Sequence, residues 1–240
     1  LAWINGIMAV LRYKASFAVK RLSPTGVLLS SAVVSFFGLL WLSYAGTTLV
    51  AFTSATIFAV GICYFWPTML GFVSERIPRS GALGLGLMGA IGMASVGLIT
   101  TPWMGQIADQ LGHEQLPVAE TTELLHDVAA AFPSPDETND SDLAAASFAV
   151  EDVIARMSAD GALPELVTAN ALRTILNSGG PDDLVDRADA ILGPSENYGG
   201  RASFRYILPF TGTLILIFGL LFVQDRRTGG YRVTRIEEGV

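Results

Sequence analysis

The chain has 240 residues, 51% of them hydrophobic and only 15% charged, against about 25% charged in an ordinary soluble domain. Its formal charge of −7 hides a division: residues 104–203 hold 18 acids and 4 bases, and the remainder holds 4 acids and 11 bases. This composition excludes a plain soluble domain, and the acidic block excludes nucleic acid as a partner, because binding to phosphate needs the opposite sign.

Residues 1–11, Leu1-Ala-Trp-Ile-Asn-Gly-Ile-Met-Ala-Val-Leu11, are apolar but fall short of the roughly 20 residues that a spanning helix needs. They read as the last turns of a helix that begins earlier, and the chain as a fragment. No charge lies in the 53 residues between Arg21 and Glu75. As one helix that run would reach roughly 80 Å, far beyond a hydrocarbon core of about 30 Å, so it is expected to cross twice and to turn at Ser43-Tyr-Ala-Gly-Thr47. Two further charge-free runs, of 29 residues before Asp109 and 19 before Asp225, complete the set. The expected spans are 24–44, 48–72, 81–102 and 206–223.

The second crossing carries the most chemistry. Thr53, Thr56, Tyr64 and Thr68 stand at i, i+3, i+11 and i+15 and so share one helix face. Three hydroxyls and a ring suit an aqueous cavity for a neutral polar solute such as a sugar. The same residues also serve as packing groups, each threonine hydroxyl bonded to a carbonyl one turn back, and both readings stand at this point. Trp66-Pro67 predicts a kink, since proline removes a helix bond and crowds the preceding turn; Trp66 itself points away from the hydroxyl stripe. At the end of this crossing, Glu75 is the one acid before Asp109. It is either an ion-pairing gate with Arg12 or Arg79, or a solvated loop carboxylate of little energetic weight.

In the third crossing, Gly84-Leu-Gly-Leu-Met-Gly89 matches a dinucleotide fingerprint in letters only, for no strand precedes it, and no cofactor is expected. Ala82, Gly86, Ala90 and Ala94 instead form a small-residue stripe that predicts close approach of a neighbouring helix. Cys63, the single cysteine, reads as a buried small residue. Residues 113–201 read as an acidic insert of helical pieces, with apolar faces at Leu124, Leu125, Val128, Ala129 and Phe132 and at Leu143, Val150, Ile154 and Met157. Pro181-Asp-Asp opens another helix. His113 and His126 lack ligand spacing, so no metal is expected.

Short basic loops face the cytoplasm. Arg12, Lys14, Lys20 and Arg21, then Arg76 and Arg79, then Arg226, Arg227, Arg232 and Arg235, fall on one side under strict alternation. The turn at 43–47 and residues 103–203 fall on the other. The expected organisation is a transmembrane bundle over 1–112, an extracytoplasmic insert over 113–201, a final span over 202–225 and a cytoplasmic tail over 226–240, in a cell (inner) membrane.

In their order and spacing, Arg12-Tyr13 with Lys20-Arg21-Leu22-Ser23-Pro24, Gly61-Ile-Cys-Tyr-Phe-Trp-Pro67-Thr-Met-Leu70, Glu75-Arg-Ile-Pro78 and Thr101-Pro-Trp-Met-Gly105-Gln-Ile-Ala-Asp109 resemble the C-terminal half of a major facilitator superfamily transporter. The nearest style is the fucose and sugar permease branch. The resemblance covers 1–112 and 202–225. It implies an all-α membrane fold, the C-terminal part of a twelve-helix bundle with the tail of helix eight and helices nine to twelve. It implies that the helix bearing Tyr64 and Thr68 lines a central cavity, and that a proton or sodium couples transport through the preceding half. Leu11 and Ala15 depart from the glycines that the permeases place around this arginine, and the insert has no counterpart in the family. The expected function is secondary transport of a small polar solute by alternating access, without covalent catalysis. The alternative is a membrane-anchored sensor or binding protein in which the acidic outer part does the work.

Overall fold

The computed structural model describes residues 2–13, 22–135 and 138–233, and every regular element among these is helical. In chain order they are α1 (Ala2–Tyr13), α2 (Pro24–Leu42), α3 (Thr48–Cys63), α4 (Phe65–Arg76), a 3-10 turn (Pro78–Ser80), α5 (Gly81–Ala94), a π-helical turn (Ser95–Thr100) and α6 (Thr101–His113). There follow α7 (Val118–Ala131), α8 (Ser141–Asp160), α9 (Glu165–Asn177) and α10 (Asp182–Arg227). Four stretches, Pro24–Leu42, Thr48–Arg76, Pro78–His113 and Asp182–Arg227, are long and apolar enough to cross a membrane. The shortest has 19 residues and a length of roughly 29 Å, which matches a hydrocarbon core. The chain divides into two compact units, Leu1–Pro102 with Phe204–Val240, and Trp103–Ser203.

In the first unit, local chemistry sets the helix ends. The Ser23 hydroxyl accepts the Gly26 N–H at 3.2 Å ahead of α2, with Pro24 in the first turn, where its missing N–H costs nothing. The Thr47 hydroxyl accepts from Val50 N–H at 3.4 Å ahead of α3, so the turn between α2 and α3 covers 43–47. Pro67 has no N–H to offer the Cys63 carbonyl, and the long helix breaks at Tyr64, between α3 and α4. Backbone bonding resumes at once, from Thr68 N–H to the Tyr64 carbonyl at 3.1 Å.

Close helix packing lies elsewhere than the sequence suggests. Ala82, Gly86, Ala90 and Ala94 are all exposed on α5, and a methyl added at Gly86 would meet nothing within 4 Å. The tight approach is between α2 and α3: a Cβ at Gly38 would lie 2.6 Å from the Phe58 nitrogen, and one at Gly61 would lie 2.5 Å from the Ser35 nitrogen. Beside this pair Leu28, Ala32 and Phe218 form a small buried cluster, with Phe65, Met69 and Phe72 packed against it; Val27, Leu39, Ala59 and Cys63 are buried as well. Much of the rest of the unit is apolar and outward, including Leu49, Leu83, Met93, Leu98, Leu216 and Leu220, each over two-thirds exposed. Such a surface is unfavourable in water and suited to hydrocarbon.

The second unit is built as a water-soluble domain is built. Leu124, Leu125, Val128, Val150, Val153, Leu172 and Ile175 are all fully buried in one continuous core, while Ala129 faces out. The Asp140 carboxylate caps α8 through Asp142 N–H at 3.0 Å, and Gly161, at φ 72°, ends that helix in the left-handed conformation that glycine adopts without strain. Arg187 pairs with Asp127 at 2.7 Å. Glycine again permits a close crossing: a Cβ at Gly199 on α10 would meet the Ala108 carbonyl of α6 at 2.0 Å. The helix expected to open at Pro181-Asp-Asp starts at Asp182, and it continues unbroken for 46 residues to Arg227, so no helix end occurs near 202.

Candidate functional site

The four residues of the expected hydroxyl stripe, Thr53, Thr56, Tyr64 and Thr68, separate into two groups. Thr53 is exposed, and its hydroxyl donates to the Leu49 carbonyl at 2.8 Å. The Thr56 hydroxyl donates to the Phe52 carbonyl at 2.7 Å and accepts the Trp3 indole N–H at 3.0 Å, while the Trp3 and Phe52 rings meet edge to face at 6.0 Å. Thr53 thus bonds within its own helix, and Thr56 fastens α1 to α3. Cys63, buried as expected, contributes to the same seam through an S–H bond to the Met8 carbonyl at 3.5 Å.

Tyr64 and Thr68, in contrast, reach a common space. They line a cavity of about 150 Å³ together with Pro24, Pro67, Gly71, Phe72 and Glu75. The spacing 64, 68, 71, 72, 75 is one face of a helix, and Tyr64 stands at the break between α3 and α4. Tyr64 also donates its hydroxyl to the Leu11 carbonyl at 2.9 Å, which ties α1 to the cavity wall. Thr68 is 8% exposed, and its hydroxyl has no side-chain bond among the described residues. Trp66 lies off this face, its ring directed towards Gly92 of α5.

Glu75 is half-buried at one end of the cavity, and its Oε2 accepts the Tyr231 hydroxyl at 2.6 Å. It makes no ion pair with Arg79 among the described residues, and Arg79 is exposed. The side chain of Arg12, the other expected gate partner, lies outside the described residues.

The stronger ionic cluster is one residue further on. Arg76 pairs with Asp225 of α10, and Asp225 also accepts the Thr25 hydroxyl at 3.0 Å, so one carboxylate joins the start of α2, the end of α4 and the end of α10. The Arg76 guanidinium lies over the Tyr231 ring at 5.0 Å and the Phe72 ring at 5.6 Å. Burial first, then the bond to Glu75, push the Tyr231 hydroxyl well above its ordinary value. Sequence reading placed Asp225 at the last residue of the final span without a role. Its one signal was that it is the first acid after the last apolar run, immediately before Arg226-Arg227.

At the opposite end of the same helices, the Arg205 guanidinium lies over the Tyr44 ring at 4.3 Å and donates to the Ser43 carbonyl at 3.3 Å, which fixes the turn between α2 and α3 against α10. Among the described residues no group of three or more His, Cys, Asp or Glu side chains is placed to hold a metal ion. Comparison with family models, with curated proteins and with solved structures yields no match.

Proposed function

We propose that this chain is the C-terminal part of a secondary transporter that moves a small polar solute, a sugar being the chemistry its hydroxyls and ring suit, by alternating access. The observation that carries this reading is the shared cavity of Tyr64, Thr68 and Glu75 at a helix break inside an otherwise apolar unit. In a bilayer, irregular backbone and unpaired polar groups are tolerated where they line a cavity or are buried in protein, and discontinuous helices build many transport sites. In this reading Thr53 and Thr56 hold α1 and the helix backbone. Tyr64 and Thr68 meet the solute, and the Glu75, Arg76, Asp225 and Tyr231 cluster closes the basic, cytoplasmic side. A proton or sodium ion couples the movement through a preceding half, and there is no covalent step.

The test is uptake of labelled neutral sugars and polyols into proteoliposomes containing the protein with its preceding half. Tyr64→Ala and Thr68→Val should raise the half-saturating concentration about tenfold or more, the equivalent of one lost hydrogen bond to solute, at unchanged expression. Unaltered uptake kinetics in both variants would remove these residues from the site.

A second reading, a membrane-anchored sensor, is favoured by one observation: the Trp103–Ser203 unit has its own continuous core. Deletion of 113–200 separates the two, since a transporter keeps its flux and a sensor loses its response.

A further inference from the structure

Within the Trp103–Ser203 unit, α6, α9 and α10 enclose a cavity of about 220 Å³ whose wall includes Asp109, His113, Arg173, Glu196, Leu116 and Leu192. Its charges are unequal. Arg173 donates to Asp109 Oδ1 at 2.9 Å through Nη2, to Glu196 Oε1 at 2.7 Å through Nε and to Asn170 Oδ1 at 3.3 Å through Nη1. Three of the five guanidinium N–H groups are therefore spent on oxygens of the cavity wall. Two carboxylates face one guanidinium, which leaves one negative charge in excess. Asp109 Oδ2 and Glu196 Oε2 accept no hydrogen bond among the described residues. His113 Nδ1 is buried with no partner, and it is an acceptor in the tautomer protonated at Nε2.

The surplus is therefore of acceptors and of negative charge, in a unit whose acids outnumber its bases 18 to 4 over residues 104–203; that field raises the local concentration of cations. A metal ion does not fit, because no three ligating side chains converge among the described residues. Leu116 and Leu192, 6% and 2% exposed, supply an apolar wall that a metal would not use. An ammonium group on a short alkyl stem uses both halves of the site. The volume equals roughly seven water molecules at about 30 Å³ each, enough for an amine of four or five heavy atoms.

We propose that this unit binds a short primary alkylammonium ion, its head at Asp109 and Glu196 and its stem against Leu116 and Leu192. The proposal is independent of the transport reading. The experiment is calorimetric titration of the purified full chain in detergent with n-butylammonium chloride, alongside 1-butanol and magnesium chloride. Saturable binding of butylammonium alone is expected. Asp109→Asn with Glu196→Gln should weaken it about tenfold or more, the loss of one charge-assisted hydrogen bond. Because that variant also disturbs Arg173, Ala108→Leu provides a second arm, filling the cavity from its edge with every charge retained, and it should abolish binding while the helical content stays unchanged. Absence of saturable butylammonium binding would overturn the proposal. So would equal binding of 1-butanol, displacement by equimolar magnesium, or undiminished affinity in both variants.

Discussion

Replacing Asp225 by asparagine keeps the shape of the side chain and removes its charge. Asp225 is 6% exposed and is shared by the Thr25 hydroxyl and the Arg76 guanidinium. Breaking a buried ion pair by removing one partner costs about 3–5 kcal/mol, because the other charge is left stranded. Arg76 is less stranded than that: its side chain is 32% exposed, and it keeps the faces of Phe72 and Tyr231. Asparagine also retains a carbonyl that can accept from Thr25. The expected loss is therefore about 2 kcal/mol, nearer the value of one hydrogen bond to a charged group. For a chain of this size that corresponds to a fall of about 4–8 °C in Tm. The assay is thermal and SDS-induced unfolding of the full chain in micelles, read by circular dichroism, for wild type, Asp225→Asn, Arg76→Met and the double variant. The cycle should return a coupling of about 1–2 kcal/mol. If Asp225→Asn melts within about 1 °C of wild type and the cycle returns no coupling, the three helix ends are not held by this carboxylate, and the reasoning from burial fails.

Three further outcomes follow from the packing and the charges. Gly61→Val places side-chain carbon 2.5 Å from the Ser35 nitrogen and should cost about 1–3 kcal/mol by overpacking. Gly86→Ala meets nothing within 4 Å and should leave Tm unchanged or slightly higher, since alanine favours helix; equal losses in the two variants would refute the assignment of the tight seam. Leu172→Ala, at a fully buried site in the second unit, should cost about 2–5 kcal/mol, checked by unfolding followed through protease resistance of 113–200. Tyr231 lies beyond the end of α10, and burial with the Glu75 bond raises its hydroxyl above the ordinary 10.0. A raised folded value favours the neutral phenol, so this contribution to stability is complete at neutral pH, persists past about pH 10 and is lost as the pH rises through the folded value. The tyrosinate absorbance of Tyr231→Phe should thus superimpose on that of wild type up to about pH 10; an earlier divergence would show that the phenol is solvated.

What the sequence made legible is what depends on composition over many residues. A charge-free run of 53 residues is longer as one helix than a hydrocarbon core is thick, and it divides at 43–47; a proline at 67 costs the Cys63 carbonyl its partner, and the helix breaks at Tyr64. Pairwise geometry was not legible in the same way. The stripe of Ala82, Gly86, Ala90 and Ala94 shows that a backbone can be approached but not that anything approaches it, whereas α2 and α3 meet at Gly38 and Gly61, whose small companions on the same buried faces are Ser31, Ser35 and Ser54. The same distinction divides the candidate site. Four hydroxyl-bearing residues share one face by spacing alone, yet Thr56 is bound by Trp3, 53 positions away, and Thr53 by its own helix. Tyr64, itself bonded to the Leu11 carbonyl, and Thr68 line the cavity, at the break and just after it. Asp225 was passed over for a related reason: beside Arg226-Arg227 a carboxylate looks like part of a solvated tail, and its burial depends on Thr25, 200 positions away. Helix periodicity therefore selects a face, and the helix break with long-range pairing decides which residues of that face line the cavity.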